Sequence, residues 1–247
     1  MTSSITPTQS NLTQAIGQFL MATLGLSPDQ IIVGEGNRVA EPASPIFVVI
    51  TPMRSDRLAT NIDSFADVKF TGAITGTTLD VTNVAFGTIA LGSMLFGIDV
   101  LSGTVITAFG TGSGGVGTYT VSQAQNVGSE TLSAGTKALL LESRTTVQLD
   151  FHSADQSASD LAQTAVATLR DEYGVDFFAA LDAPLNRIAP LYADDPRQAP
   201  FMNDQSQVEW RWSLDAVFQV NQSVSVPQQF GDSPTLTTIA VPEQVAL

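Results

Sequence analysis

Glycine and charge are divided so unevenly along this chain that no single uniform fold accounts for both parts. Residues 70–135 carry only three charged side chains, Asp80, Asp99 and Glu130, yet they hold 13 of the 19 glycines. Within that stretch, short β-branched runs alternate with glycine turns. Ala73-Ile74-Thr75, Thr78-Leu79-Asp80-Val81-Thr82, Thr104-Val105-Ile106-Thr107 and Gly117-Thr118-Tyr119-Thr120-Val121 are the clearest. Strands of about five residues at roughly 8–12-residue spacing read as a small all-β sandwich or barrel. Lys69 and Lys137, the only lysines of the chain, bracket it. Surface loops accept whole domains when the two ends of the insertion lie close together. The expectation is therefore an inserted all-β domain, residues 69–137, within a host made of residues 1–68 and 138–247.

The host starts with a helix signal. Thr6-Pro7-Thr8-Gln9 has the layout of an N-cap, a proline at the first helical position and a Gln that closes a capping box. Leu12, Ala15, Ile16, Phe19, Leu20 and Leu24 then share one face, and Gly25 supplies the stop. The apolar run 46–53 reads as a strand buried on both faces. Val147, Leu149 and Phe151 alternate with Gln148, Asp150 and His152, which predicts a strand with one wet face. A second helix is expected over 157–181, with Leu161, Ala165, Leu169 and Tyr173 on one stripe and Ser157 or Asp155 as its cap.

The last strand is the plainest. Val208, Trp210, Trp212, Leu214, Ala216, Phe218 and Val220 alternate with Glu209, Arg211, Ser213, Asp215 and Gln219. Residues 222–247 lose this period and read as an extended C-terminal arm. The fold class is thus α+β, a mainly antiparallel sheet covered by two helices, with the all-β domain at the tip of the hairpin joining strand 46–53 to the Val147 strand.

The chemistry-bearing residues argue against catalysis. There is no cysteine, and His152 is the single histidine, so thiolate sites and two-histidine metal sites within one chain are excluded. A net charge of -14 opposes a grip on phosphate backbones or anionic lipid. No stretch approaches the roughly 20 apolar residues of a spanning helix, and the start does not read as a secretory signal. Gly112-Ser113-Gly114-Gly115-Val116-Gly117 fits the dinucleotide pattern G-x-G-x-x-G, but the strand-like Thr118-Tyr119-Thr120-Val121 follows where a helix must open. Hairpin-loop glycines are the better reading.

Asp194-Asp195 and the acidic side chains of 155–176 read as a solvated face, without the glycine-led loop of a calcium site. His152, beside Asp150 with Ser153 and Ser157 near, lacks a nucleophile elbow and reads as a hydrogen-bonded surface histidine. Trp210 and Trp212 are core anchors or face a partner subunit. No cofactor is expected.

Several host segments carry a resemblance. They are Pro45-Ile46-Phe47-Val48-Val49-Ile50-Thr51-Pro52-Met53-Arg54, Thr146-Val147-Gln148-Leu149-Asp150-Phe151-His152, Arg170-Asp171-Glu172-Tyr173, Tyr192-Ala193-Asp194-Asp195-Pro196-Arg197-Gln198 and Pro227-Gln228-Gln229-Phe230. Together, over residues 30–68 and 142–232, they resemble the tailed-bacteriophage neck or tail terminator proteins. Residues 70–135 resemble a glycine- and threonine-rich β-module found inserted in phage structural proteins.

The resemblance implies a virion protein that forms a six-fold ring at the head-proximal end of the tail, ends tube polymerisation and docks the neck. The implied partners are further copies of the chain, the tail tube protein, a neck or connector protein and the sheath. Double-stranded DNA would pass through without being held. Candidate interface residues are Trp210, Arg211 and Trp212, with Arg54, Arg57 and Arg197, and Pro227 and Phe230 on the arm. Asp194 and Asp195 are the candidates for lining the channel. The alternative is a phage adhesin or carbohydrate-binding protein acting through the β-domain.

Overall fold

A computed structural model describes residues 5–34, 42, 44–199, 201–202 and 208–228. These divide into two compact units. One comprises Thr2–Asp63 and Leu139–Val224, the other Ser64–Ala138 with the chain from Ser225.

The first unit opens with β1 (Ile5–Thr6) and α1 (Gln9–Leu24). The cap of α1 is Thr8, not Thr6 as expected. Thr8 has extended backbone, its hydroxyl accepts from the Asn11 N–H at 3.2 Å, and Asn11 Oδ1 accepts in return from the Thr8 N–H at 2.9 Å. Asn11 thus closes the box two residues later than the Thr6–Gln9 pattern suggests, which leaves Thr6 in β1. The helix stops where expected, because Gly25 at φ +69 turns the chain left-handed and its N–H satisfies the Met21 carbonyl.

β2 (Ile31–Val33) and β3 (Phe47–Arg57) run parallel, so the sheet is mixed. β3 also pairs antiparallel with the distal part of β7 (Gly117–Ser153), from Phe47 opposite His152 to Arg57 opposite Ser143. The ladder slips between Pro52 and Arg54, where proline has no N–H to contribute.

The expected second helix is two. α2 (Ser157–Leu169) ends at Arg170, and α3 (Glu172–Ala179) restarts because the Asp171 side chain accepts from the Tyr173 N–H at 3.0 Å. Three helices, rather than two, therefore accompany the sheet. β8 (Ile188–Ala193), β9 (Arg197–Gln198) and β10 (Phe201–Met202) each pair with β11 (Val208–Pro227), as does β1. β11 outruns the alternation that announces it. It continues through Pro227, with Ile5 opposite Val224, so the arm begins later than residue 222.

The order β1-β11-β7-β3-β2 puts α1, α2 and α3 against a core of Leu12, Ile16 and Phe19 with Val48, Leu149, Leu214 and Phe218. Phe178 links the layers, its ring 5.5 Å from both Phe19 and Phe218.

The second unit has its own core, including Phe70, Ile74, Leu79, Leu95, Ile106, Tyr119 and Leu132. β4 (Ile62–Phe86) doubles back at Gly76, φ +61, which brings Gly72 against Asp80 and Gly87 against Asp67. β5 (Met94–Phe96) and β6 (Ile106–Phe109) pair with the proximal part of β7. Strands of five residues are thus an underestimate. β7 has no proline and only Gly128 and Gly135 in its interior, so nothing forces it to break at Lys137.

The G-x-G-x-x-G glycines join β6 to β7. Their role is steric: a Cβ on Gly112 would lie 2.6 Å from the buried Tyr119 ring, whose hydroxyl accepts from the Gly114 N–H at 3.0 Å.

Candidate assembly surfaces

Among the described residues no group of three or more His, Asp or Glu side chains is placed to hold a metal ion. His152 is not a surface residue. It is 8% exposed and stacks on Phe47, its cross-strand partner on β3, with ring centroids 4.4 Å apart and planes 9° apart, so the face that the alternation marks as wet is covered here.

Its neighbour Asp150 is buried for a different purpose. Arg211 reaches it from β11, Nε to Oδ1 at 3.2 Å and Nη2 to Oδ2 at 2.9 Å, a two-pronged contact that satisfies both carboxylate oxygens. Arg211 is therefore an internal partner. The flanking Trp210 and Trp212 are half-buried, each packing part of its side chain against the core.

The other expected arginines are exposed and occupied. Arg54 and Arg144 share one carboxylate, Asp56, at 2.7 and 3.5 Å, so that corner keeps a net positive charge. Nearby in sequence, Arg57 donates through Nε to the Ala59 carbonyl at 2.8 Å. Arg197 lies 3.5 Å from Asp215. Exposed pairs of this kind contribute at most about 1 kcal/mol, so an incoming subunit could rearrange them at little cost.

Asp194 is held by its backbone, its N–H donating to the Asp215 carbonyl at 2.8 Å. Asp195 is exposed and pairs with Arg170 at 2.9 Å. The sequence pattern gives Arg170 no separate role. Yet it ties the Asp194-Asp195 turn to the α2–α3 corner, donating through Nε to the Ala193 carbonyl at 2.7 Å and lying 5.0 Å over the Tyr192 ring. The 23-residue separation from Ala193 hides this contact from any local pattern. Pro227 ends β11, and Phe230 lies outside the described residues.

Two further features complete the surface. A cavity of about 340 Å³ opens where the start of α1 meets β3, β7 and β11, lined by Leu12, Pro52, Met53 and Val220 with Arg54 on its wall. In the other unit, Ile98 is 88% exposed, the extreme value among the exposed large apolar side chains described.

Arg54, Arg144, Arg170, Arg197 and Arg211 each have a carboxylate partner, and large apolar side chains reach solvent in both units, as befits an assembly component. The family of phage neck terminator proteins matches it over residues 98–241, more than half its length. The chain belongs to that family. It is thereby a structural protein of the phage neck and tail.

The span matched to the neck terminator family takes in Asp150, Arg170, Asp194, Asp195, Arg197 and Trp210–Trp212, and it starts inside the glycine-rich stretch. Arg54 and Arg57 precede it. No curated protein matches the chain. Among the described residues no helix is long and apolar enough to cross a membrane.

Proposed function

We propose that this neck terminator assembles as a six-copy ring at the head-proximal end of a phage tail, where it ends tail-tube polymerisation and joins the tail to the neck. Family membership carries this reading. A closed ring uses heterologous interfaces, so every copy must present two different complementary surfaces. The exposed Met53, Tyr173, Leu191 and Tyr192 of one unit and the exposed Ile98, Leu101 and Phe109 of the other supply apolar material for such contacts.

The tail tube protein and a neck or connector protein contact the ring's two faces, and the sheath is a further neighbour. Asp194 and Asp195 line a channel through which double-stranded DNA passes. With a net charge of -14 over the whole chain, each copy offers the phosphates little counter-charge to stick to. Residues 69–137 are read as an inserted module that projects outward; the compact unit Ser64–Ala138 with a hydrophobic core of its own supports that reading.

Phage tails lacking their terminator provide the test. Incubation with this protein is expected to fix tail length in negative stain and to restore joining to heads. Tubes that go on growing as if nothing had been added reject the reading.

A further inference from the structure

The loop between β5 and β6 is built to present an apolar tip. Side chains of β7 hold it along its length. Glu130 Oε1 accepts from the Asp99 N–H at 3.4 Å, Gln125 Oε1 from the Leu101 N–H at 2.8 Å, and Gln123 Nε2 donates to the Ser102 carbonyl at 3.0 Å. Thr104 closes the turn onto Leu101, and Gln125 Nε2 donates to the Thr104 hydroxyl. A loop fixed in this way has lost most of its conformational freedom before any partner arrives, which lowers the entropic cost of docking. Ile98, the second residue of this loop, is 88% exposed.

Charge marks the same spot. Of the three charged side chains in residues 70–135, two, Asp99 and Glu130, belong to this loop and its support. A complementary partner surface is a hollow that offers apolar side chains and a positive charge. The chain itself has a cavity of about 340 Å³ whose lining mixes the apolar Leu12, Pro52, Met53 and Val220 with uncharged polar side chains, and Arg54 is the one charged residue in it. Arg54 and Arg144 divide the single charge of Asp56 between them, so the charge there is positive in a chain that is otherwise strongly acidic.

We infer that the Ile98–Asp99 tip of one copy inserts into the Leu12–Met53–Val220 cavity of a second copy, with Asp99 facing Arg54. Knob and hole lie on different parts of the surface, so the contact is heterologous and repeats from copy to copy, as ring closure requires. The inference deepens the ring reading and rests on it.

Sedimentation velocity of the full chain over a concentration series tests this. Ile98→Asp removes the knob without leaving a void in its own copy, since the side chain is in solvent. It is expected to raise the half-assembly concentration by about tenfold or more. Asp99→Arg and Arg54→Asp are each expected to raise it by roughly threefold to tenfold, and the double reversal to return it to within about twofold of wild type. Thermal melts matching wild type confirm that each variant is folded.

Rings that form equally well with Ile98→Asp, or a double reversal no better than the worse single, overturn the contact and leave the ring reading standing. A wild-type chain that stays monomeric at every concentration overturns both.

Discussion

Arg211 on β11 closes on the carboxylate of Asp150 on β7 with contacts of 2.9 and 3.2 Å, and the Asp150 side chain is only 6% exposed. Burying a carboxylate is costly unless its oxygens find partners, and Arg211 engages both. Arg211→Ala leaves that charge stranded and is expected to destabilise the unit by about 2–4 kcal/mol. Replacing both together, Asp150→Leu with Arg211→Met, is expected to recover most of the loss, because a buried pair has little net worth against apolar packing. Trp210 and Trp212 flank Arg211 in sequence, so urea unfolding followed by tryptophan fluorescence reads this site directly.

Gly174 sits one turn into α3, where alanine would normally be the better helix former by about 1 kcal/mol. Here the sign reverses. A Cβ at this position would lie 2.6 Å from the Thr168 carbonyl oxygen and 3.2 Å from the Leu169 Cα, both backbone of α2 and unable to swing away. Gly174→Ala is expected to cost about 1–3 kcal/mol net and to lower the melting temperature by several degrees, followed by helical circular dichroism. An unchanged melt would show that the α2–α3 corner relaxes more easily than its packing indicates.

The same corner shows where the sequence stops being informative. Helix α1 is legible because its face and its stop are local: Leu12, Ile16, Phe19 and Leu20 bury one stripe, and Gly25 alone accepts the left-handed turn. The break at Arg170–Asp171 is not, since Leu169 and Tyr173 on either side of it continue one helical stripe and the cap that begins the next helix is a side-chain contact. The alternation of β11 is legible, and Leu214, Ala216, Phe218 and Val220 all reach the core. The partners of the charged residues are not: Asp150 and Arg211 are 61 residues apart and Arg144 and Asp56 are 88 apart. Such pairings are set by sheet order, which no window of the sequence contains. The strand His152 occupies was legible, but its burial depends on Phe47 from β3 covering it.

Asp155 gives a pH signature. The Ser157 hydroxyl beside it and the Ser157 N–H, 2.9 Å from Oδ1, hold its carboxyl below the ordinary value of 3.8 at the mouth of α2. A folded-state pKa lower than the unfolded one contributes stability above the unfolded value and loses it as pH falls through the folded one. Asp155→Asn keeps an oxygen acceptor but has no charge to titrate. Wild type is therefore expected to exceed the variant in stability above the ordinary value of 3.8, and the two are expected to converge as pH falls below it. Urea midpoints across that range check it; a difference independent of pH would assign the contribution to the hydrogen bond alone.

The chain beyond β11 offers the last test of assembly. Residues 229–247 carry two carboxylates, Asp232 and Glu243, no basic residue, and apolar side chains at Leu236, Ile239, Val241, Val245 and Leu247. A cut after Val224 is unsuitable for probing them, because it also removes Ser225–Pro227 from β11 and sits beside the Ile5–Val224 pairing. A cut after Gln228 spares every paired residue of that strand. The truncated chain is expected to melt within about 2 °C of wild type, since every described residue of the strand and of both hydrophobic cores is kept. If these apolar side chains bury against a neighbouring copy, as the ring reading proposes, its half-assembly concentration is expected to rise about fivefold or more. A truncated chain that sediments as the intact oligomer at every concentration refutes the arm's role in holding neighbours together.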